Sequence, residues 1–116
     1  LCIHAIQLDE HDIARLAAAD ARVVHCPISN AKLGQGIAPV LALQRAGVAV
    51  GLGSDSVVSN DAMDLVQEAR QAVLLQSIAA ATPDALSAHE ALTMATAGGA
   101  EALGLLPGLG TLTVGA

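Results

Sequence analysis

Apolar and polar positions alternate along the chain in blocks that predict strands and helices in turn. Short apolar runs at 1–6, 22–26 and 48–53 are typical of buried β-strands, because each is bounded by polar or turn-forming residues. The run at 48–53 has no polar residue before Ser54, which indicates a strand covered on both faces. A longer segment with helical spacing follows each run, so the pattern predicts a β-α-β-α-β-α order.

The predicted helices have recognisable ends and apolar stripes. The end signals are Asp9 as a first N-cap, Pro39 and Gly47 around a second helix, Ser59, Asn60 or Asp61 as caps for a long helix at about 62–80, a capping box of Ser87 and Glu90, and Gly104 as the last terminus. The stripes are Ile13, Leu16 and Ala17 on the first helix and Leu65, Val66, Ala69, Ala72 and Val73 on the long one. Segment 29–36 predicts a loop, and 108–116 resembles the start of a strand.

This order implies parallel strands joined by right-handed crossovers. A doubly wound sheet and a segment of a (β/α)8 barrel both fit it. Polar groups favour the barrel, because they lie at or beyond the C-terminal ends of three successive strands, where barrel active sites are found. These groups are His4 on the first strand with Gln7 and Asp9 beyond it, His25, Ser29 and Asn30 at the second, and Ser54, Asp55 and Ser56 at the third.

Composition narrows the class of protein. Of the 116 residues, 53% are apolar, which is too many for a disordered chain. None is Phe, Tyr or Trp, so the core has to be built from Ala, Val, Leu and Ile. The net charge of −6 comes without any basic run, which argues against nucleic acid as a partner.

The cysteines and the chain ends bear on location. Cys2 and Cys26 lie inside apolar runs without zinc-binding or disulfide spacing, so we interpret them as buried free thiols of a cytoplasmic protein. The opening segment 1–12 is too short and too polar for a signal peptide or a membrane span, and no membrane partner is expected. Because the chain opens and stops inside strand patterns, we expect it to be part of a longer protein.

Asp55 and His4 are the main candidates for chemistry. Asp55 stands at the mouth of an apolar strand, where a metal, an arginine or a helix N-terminus would offset the cost of its desolvation. Its spacing also fits a capping or loop-bonding aspartate. His4 and His25, taken alone, fit satisfied core histidines. His11 and His89 fall in helix first turns, and we expect them on the surface.

Other motifs predict no separate site. The sequences GLGSD and KLGQG resemble phosphate-binding loops, but neither matches the dinucleotide fingerprint or the P-loop. Glu68 and Arg70 lie on the long predicted helix, and we interpret them as solvent-facing or paired side chains.

Six linked motifs give a specific resemblance. They are His-Cys-Pro-x-Ser-Asn at 25–30, Lys-Leu-Gly-x-Gly-Ile-Ala-Pro at 32–39, Gly-Leu-Gly-Ser-Asp-Ser at 51–56, Ser-Asn-Asp at 59–61, EARQAVLLQ at 68–76 and ALTMATAGGAEALGL at 91–105. In this register the chain resembles the amidohydrolase superfamily nearly end to end, and within it the methylthioadenosine/S-adenosylhomocysteine deaminase and triazine hydrolase branch. The resemblance implies an α/β fold, a partial (β/α)8 TIM barrel of strands six to eight with their helices and further C-terminal helices. Residues 1–116 would then be the C-terminal portion of a catalytic barrel.

The resemblance also implies roles for individual residues. Asp55 would be the strand-eight aspartate, a metal ligand that takes a proton from the metal-bound water. His4 would be the strand-six histidine, which contacts that water and the developing tetrahedral centre. The segment that holds His25, Ser29 and Asn30 would line the substrate pocket.

The implied cofactor is one divalent metal, zinc with iron or manganese as alternatives. Its other ligands would lie outside this chain, because the family's His-x-His pair, strand-five histidine and proton-shuttling glutamate are absent here. One ligand out of four cannot hold zinc tightly, so the chain alone is expected to be inactive. Gln7 stands where relatives often have a histidine or an aromatic residue, which leaves the leaving group open.

The implied function is hydrolytic deamination of an amino-substituted purine or nucleoside-like heteroaromatic ring. Alternatives in the same superfamily are guanine or 8-oxoguanine deamination, triazine dechlorination and imidazolone-type ring opening. The alternative from another class is a non-enzymatic, doubly wound module that binds a ligand or a metal. The expected partners are a small heteroaromatic molecule and, because open parallel edges invite pairing, further copies of the chain or the remainder of the barrel.

Overall fold

Three short strands form one parallel sheet in the computed structural model, which describes residues 1–105 and 107–114. The strands are β1 (Cys2–Ile3), β2 (Arg22–His25) and β3 (Ala49–Leu52), hydrogen-bonded in the order β1-β2-β3. All pairs are parallel, as predicted, and the carboxyl ends of the strands therefore lie at the same end of the sheet.

Helices fill the connections between the strands and follow the last strand. In the described residues they are α1 (Glu10–Ala18), α2 (Pro27–Lys32), α3 (Val40–Arg45), α4 (Val57–Asn60), α5 (Leu65–Ala80), α6 (Ala88–Ala95) and α7 (Ala97–Ala102). Asp9 and Ser87 cap α1 and α6 through reciprocal capping boxes, as predicted. Pro39 precedes α3, and Gly47 and Gly104 adopt positive φ after α3 and α7, also as predicted.

The main core lies between the sheet and the helices that connect its strands. Val23 of β2 and Val50 of β3 are buried in one apolar cluster with Ile13 of α1 and with Val40 and Leu43 of α3. Because α1 and α3 also contact each other, both crossovers pack on the same face of the sheet. Truncating Leu43, which is fully buried, would cost about 2–5 kcal/mol of unfolding free energy.

Helix α7 packs on the opposite face of β3. Gly51 points to this side, and a Cβ atom on it would lie 2.9 Å from the Cα of Gly99 and 3.2 Å from the Cβ of Ala102. Glycine is therefore required for this close approach of helix and strand. The prediction that this strand is covered on both faces is confirmed, since Val50, Gly51 and Leu52 are all buried.

Two predicted boundaries near the first two strands are wrong. Strand β1 ends at Ile3, because His4 and Ala5 adopt φ values of 68° and 48° and turn the chain out of the sheet. His4 therefore lies just beyond the strand and not within it. The loop predicted at 29–36 instead starts inside α2, because Pro27 occupies the first turn of that helix with its φ already set for helix.

The boundaries predicted near the C-terminal half also need correction. The long helix begins at Leu65 with Asp64 as its N-cap; it is preceded by the separate short helix α4, which ends at Asn60, and by the non-helical segment 61–64. Asp61 is the C-cap of α4 and adopts a φ of 71°. The strand start predicted at 108–116 is replaced by turns over 108–114, and its last two residues lie outside the described residues.

The buried face of α5 is rotated from the predicted stripe. Ala69 and Ala72 are buried as expected, whereas Val66 is 72% exposed. The buried face instead includes two polar side chains, Glu68 and Gln76. Amphipathic periodicity therefore predicted the helix and part of its buried face, but not the burial of Glu68 and Gln76.

Two further findings concern membranes and thiols. Among the described residues, no helix combines the length and the apolar character needed to cross a lipid bilayer. Cys2 and Cys26 are both free, as predicted, but only Cys26 is buried, and Cys2 is partly exposed. Burial raises the pKa of the Cys26 thiol to about 11. Cys26 is thus an inert core thiol at neutral pH.

Candidate active site

The carboxyl ends of the three strands bring together side chains that are far apart in sequence. His4 follows β1 directly, Ser29 lies in α2 just after β2, and Asp55 follows β3. Each of these residues follows a different strand, so the parallel pairing brings all three to the same edge of the sheet. This is the convergence that the sequence predicted for His4 and Asp55.

Asp55 is fixed by two hydroxyl groups. Ser29 Oγ donates to Asp55 Oδ2 at 2.6 Å, and Ser59 Oγ donates to the same oxygen at 2.9 Å. The hydrogen bond from Ser29, followed by that from Ser59, holds the pKa of Asp55 below its usual value. The side chain remains 30% exposed, so an ionised carboxylate is held in place and stays accessible.

His4 faces Asp55 across the gap between β1 and β3. Its Nδ1 lies 2.8 Å from Asn30 Oδ1, and its Nε2 lies 3.9 Å from Asp55 Oδ2. Because Asn30 Oδ1 can only accept a hydrogen bond, Nδ1 is the donor of this pair, and Nε2 is the ring nitrogen that faces Asp55. That separation is longer than a hydrogen bond, so a small molecule such as water can contact both groups at their exposed edges.

Both His4 and Asp55 adopt left-handed backbone conformations. Their φ values are 68° and 58°, in a region that few residues other than glycine occupy. Such conformations cost on the order of 1–3 kcal/mol each and are concentrated at functional sites. The surrounding hydrogen bonds therefore hold the two side chains that converge at the strand ends in a specific, strained arrangement.

The three residues predicted to line a substrate pocket divide into different environments. Ser29 and Asn30 are buried. Ser29 bonds to Asp55 and Asn30 bonds to His4, so these two residues hold the candidate site in place. His25 is fully buried, and neither ring nitrogen has a hydrogen-bond partner among the described residues. Burial, and to a lesser extent the nearby His4, lowers the pKa of His25 to about 4, so the ring is neutral at physiological pH.

Glu68 and Asn60 form a buried polar pair near Asp55 that the sequence did not predict. Glu68 was interpreted as solvent-facing or paired, but it is fully buried and bonded to Asn60 Nδ2 and to the backbone N–H of Ile28. Ser59 and Asn60 had been assigned as possible helix caps, whereas both bond toward the Asp55 loop. The available signal was the spacing of Glu68 on the alanine face of α5.

The remaining polar groups lie outside the site. His11 and His89 are exposed, as predicted. Lys32 pairs with Asp61 at 2.5 Å on the surface beside α4. Among residues 1–105 and 107–114, no three His, Cys, Asp or Glu side chains are grouped closely enough to hold a metal by themselves. Asp55, with His4 nearby, could therefore supply one corner of a metal site.

Comparison with known proteins gives a consistent set of relatives. A sequence profile described as the amidohydrolase family matches residues 1–116. The chain is 52% identical over 105 residues to a 5-methylthioadenosine/S-adenosylhomocysteine deaminase of Pelotomaculum thermopropionicum, covering 90% of this chain and 24% of that protein. It is 49% identical over 115 residues to the deaminase of the same name from Desulforudis audaxviator, covering 99% and 27%. The chain thus spans about a quarter of the length of these relatives.

Solved structures with the same arrangement include zinc-bound enzymes. An adenosine deaminase from Xanthomonas campestris with bound zinc superposes with a TM-score of 0.90 at 41% identity, covering 96% of this chain and 25% of that one. An atrazine chlorohydrolase from Arthrobacter aurescens complexed with zinc gives a TM-score of 0.88 at 37% identity, covering 95% and 24%. Guanine deaminase from E. coli gives 0.84 at 30% identity, covering 94% and 25%.

Proposed function

Because this chain belongs to the amidohydrolase family, we propose that it forms one side of the active site of a metal-dependent hydrolytic deaminase. The substrate class is an amino-substituted purine or nucleoside-like heteroaromatic ring. The observation that carries the proposal is the approach of His4 Nε2 to within 3.9 Å of Asp55 Oδ2 at the carboxyl ends of parallel strands. The complete enzyme would be a longer protein, of which this chain makes up about a quarter of the length.

We place the three strands as strands six, seven and eight of a (β/α)8 barrel. The sequential order β1-β2-β3 and the packing of both crossovers on one face support this placement. Their free edges would then pair with the rest of the barrel, which is the chain's main protein partner in this proposal. The free thiols suit a reducing compartment, and we therefore also propose a cytoplasmic location.

The residues present fit one corner of a divalent metal site. Asp55 is an accessible carboxylate kept ionised by Ser29 and Ser59, and both hydroxyls bond to Oδ2, so neither occupies Oδ1. Carboxylate oxygen is an accepted zinc ligand, and the remaining ligands would come from the rest of the barrel. A bound divalent metal would act as a Lewis acid that lowers the pKa of water and stabilises the negative charge that develops during the reaction.

Asp55 and His4 would divide the work on the water molecule. Asp55 accepts the proton that water loses as its oxygen adds to the amino-bearing ring carbon. His4, whose ring is oriented by Asn30, contacts the oxygen and stabilises the charge that develops there. The amino group then takes up one of the two water protons, delivered by an acid in the rest of the barrel, and leaves as ammonia when the carbon–nitrogen bond breaks; the other proton stays on the ring, whose carbon keeps the water oxygen as a carbonyl.

The substrate preference rests on the relatives. The most similar proteins reported above are named for deamination of 5-methylthioadenosine and S-adenosylhomocysteine, at 49–52% identity. The guanine deaminase and the atrazine chlorohydrolase are 30% and 37% identical to this chain. We therefore favour a 5′-substituted adenosine over guanine or a chlorinated triazine as the substrate.

The test is a substrate panel on the complete enzyme. Purified protein would be assayed twice, once loaded with zinc and once after a chelator has removed the metal. Each sample would be tested for ammonia release from S-adenosylhomocysteine, 5-methylthioadenosine, adenosine and guanine, and for chloride release from atrazine. We expect metal-dependent ammonia release that is fastest with the 5′-substituted adenosines. Metal binding without turnover of any of these compounds would favour a non-enzymatic binding module.

A further inference from the structure

Glu68 is a buried carboxylate that the proposed reaction does not use. It lies on α5, is fully buried, and accepts two hydrogen bonds from different parts of the chain. The backbone N–H of Ile28 donates to Oε2 at 3.1 Å, and Asn60 Nδ2 donates to Oε1. Both oxygens therefore act as acceptors, which is the pattern of an ionised side chain.

Each partner of Glu68 is linked to Asp55 through one further residue. Ile28 immediately precedes Ser29, whose hydroxyl holds Asp55 Oδ2. The amide of Asn60 also donates to the carbonyl of Ser54 at 2.6 Å, and Ser54 immediately precedes Asp55. Glu68 thus joins α2, which follows β2, to the end of α4, and through Asn60 to the loop that holds Asp55.

Burying the Glu68 carboxylate carries a desolvation cost that packing alone does not explain. Burial raises the pKa of Glu68, although the hydrogen bonds from Ile28 and Asn60 oppose that shift. An apolar side chain of similar volume commonly packs as well as a buried ion without the cost of desolvation. What an apolar side chain cannot do is fix the distance between two backbone segments through two directed hydrogen bonds.

We propose that Glu68 is a positioning residue that sets the geometry of Asp55 by tying Ile28 and Asn60 to one point. Loss of this tie leaves Ser29 and Ser59 without a fixed separation, and the Asp55 carboxylate loses its orientation. The inference about catalysis rests on the proposed deaminase function. The inference about loop geometry does not, because it concerns contacts within this chain.

Three variants of the complete enzyme separate positioning from packing. Glu68→Met keeps the volume and removes both acceptors. Glu68→Gln keeps one acceptor oxygen and turns an NH2 group toward the other donor, so one of the two links is retained. Gln76→Met is the matched control, because Gln76 is also buried on α5 but donates to the carbonyl of Ala38, away from Asp55.

The first measurement is hydrogen exchange of backbone amides, which requires neither metal nor substrate. Glu68→Met should speed exchange at Ile28, Ser29 and the 54–60 segment by at least about tenfold, with a smaller effect for Glu68→Gln. Gln76→Met should leave these amides at wild-type rates. Wild-type exchange in folded Glu68→Met, or equal acceleration in Gln76→Met, would overturn the proposal. If Glu68→Met fails to fold, Glu68→Gln decides it by the same comparison.

The second measurement is zinc affinity and turnover. Glu68→Met should weaken zinc binding, kcat or both by roughly 10–100-fold, with KM changed much less, as is typical when a group that orients a metal ligand is removed. Glu68→Gln should recover part of that loss, and Gln76→Met should retain both values. If the wild-type enzyme deaminates none of the substrates, the proposed function fails, while hydrogen exchange still decides the role of Glu68.

Discussion

The loop around Asp55 and the pocket around Glu68 shift the pKa of a carboxyl group in opposite directions. Each carboxylate accepts hydrogen bonds from two parts of the chain, yet the pKa of Asp55 is lowered and that of Glu68 is raised. Donors stabilise the charged form in both regions, and only Glu68 also bears the full cost of burial. Asp55 therefore combines a stabilised charge with access to solvent, whereas Glu68 is enclosed by protein, as the roles proposed for them require.

The backbone repeats this contrast. Asp55 adopts a left-handed conformation in a loop, whereas Glu68 lies in the first turns of a regular helix of 16 residues. A strained loop persists only if its surroundings over-determine it, and the helix is the rigid element that can do so. The strained backbone and the regular helix are thus separate elements, joined through the hydrogen bonds of Glu68.

The largest expected effect is at Asp55. Asp55→Asn in the complete enzyme keeps the size of the side chain and removes its charge and its function as a base. A positioned base alone contributes roughly 10²–10⁴-fold, and weaker metal polarisation adds to this, so kcat should fall at least about a thousandfold with KM changed much less. Steady-state kinetics with elemental analysis of metal content is the measurement. Asp61→Asn on the nearby surface is the control; more than about a tenth of wild-type kcat in Asp55→Asn would refute the assignment.

A second test addresses the buried region through His25. Its folded pKa of about 4 lies below the ordinary value of 6.5, so the unfolded chain binds more protons between these two values. Stability is therefore lost as the pH falls from about 6.5 to about 4, by a total of about 3 kcal/mol. Urea unfolding of metal-free protein at several pH values should show that His25→Leu lacks this part of the slope. Parallel pH profiles for the two proteins would contradict the neutral, buried state of His25.

A third test separates His4 from the metal site. His4→Ala should lower kcat by about a hundredfold, because a group that stabilises developing charge is lost. Zinc content should stay near one per site, since we assign His4 to the water molecule and not to the metal. Elemental analysis beside kinetics distinguishes the two roles. Loss of zinc in proportion to activity would move His4 into the set of metal ligands.

The smallest expected effect is at a third carboxylate, far from both regions. Bonds from Ser87 hold the pKa of Glu90 below its usual value at the start of α6. This contribution to stability is present above the unfolded pKa near 4.5 and is lost as the pH falls through the lower folded value. Ser87→Ala should cost about 1 kcal/mol at neutral pH and leave kcat unchanged. Urea unfolding at pH 7 and pH 3 tests this; a difference as large at pH 3 would contradict the charge-dependent part.

Local patterns in the sequence predicted three parallel strands with helical connections, although they did not predict α2 and α4 as separate helices. Apolar runs followed by polar residues predicted three parallel strands and put His4 and Asp55 at the same end of the sheet, because strand direction follows from the connections alone. Capping residues located α1 and α6 correctly, since a cap acts only on the turn that follows it.

Only the tertiary structure decided which polar side chains lie beneath Asp55. The bond between Glu68 and Ile28 joins residues 40 positions apart, and that between Ser29 and Asp55 joins residues 26 apart. Periodicity along one helix reports which residues could share a face, but it does not report which partner on another element makes burial of a charge favourable. The sequence by itself therefore determined the three parallel strands and the place of Asp55 at their carboxyl ends, while long-range packing decided that the buried carboxylate of Glu68 is bonded nearby.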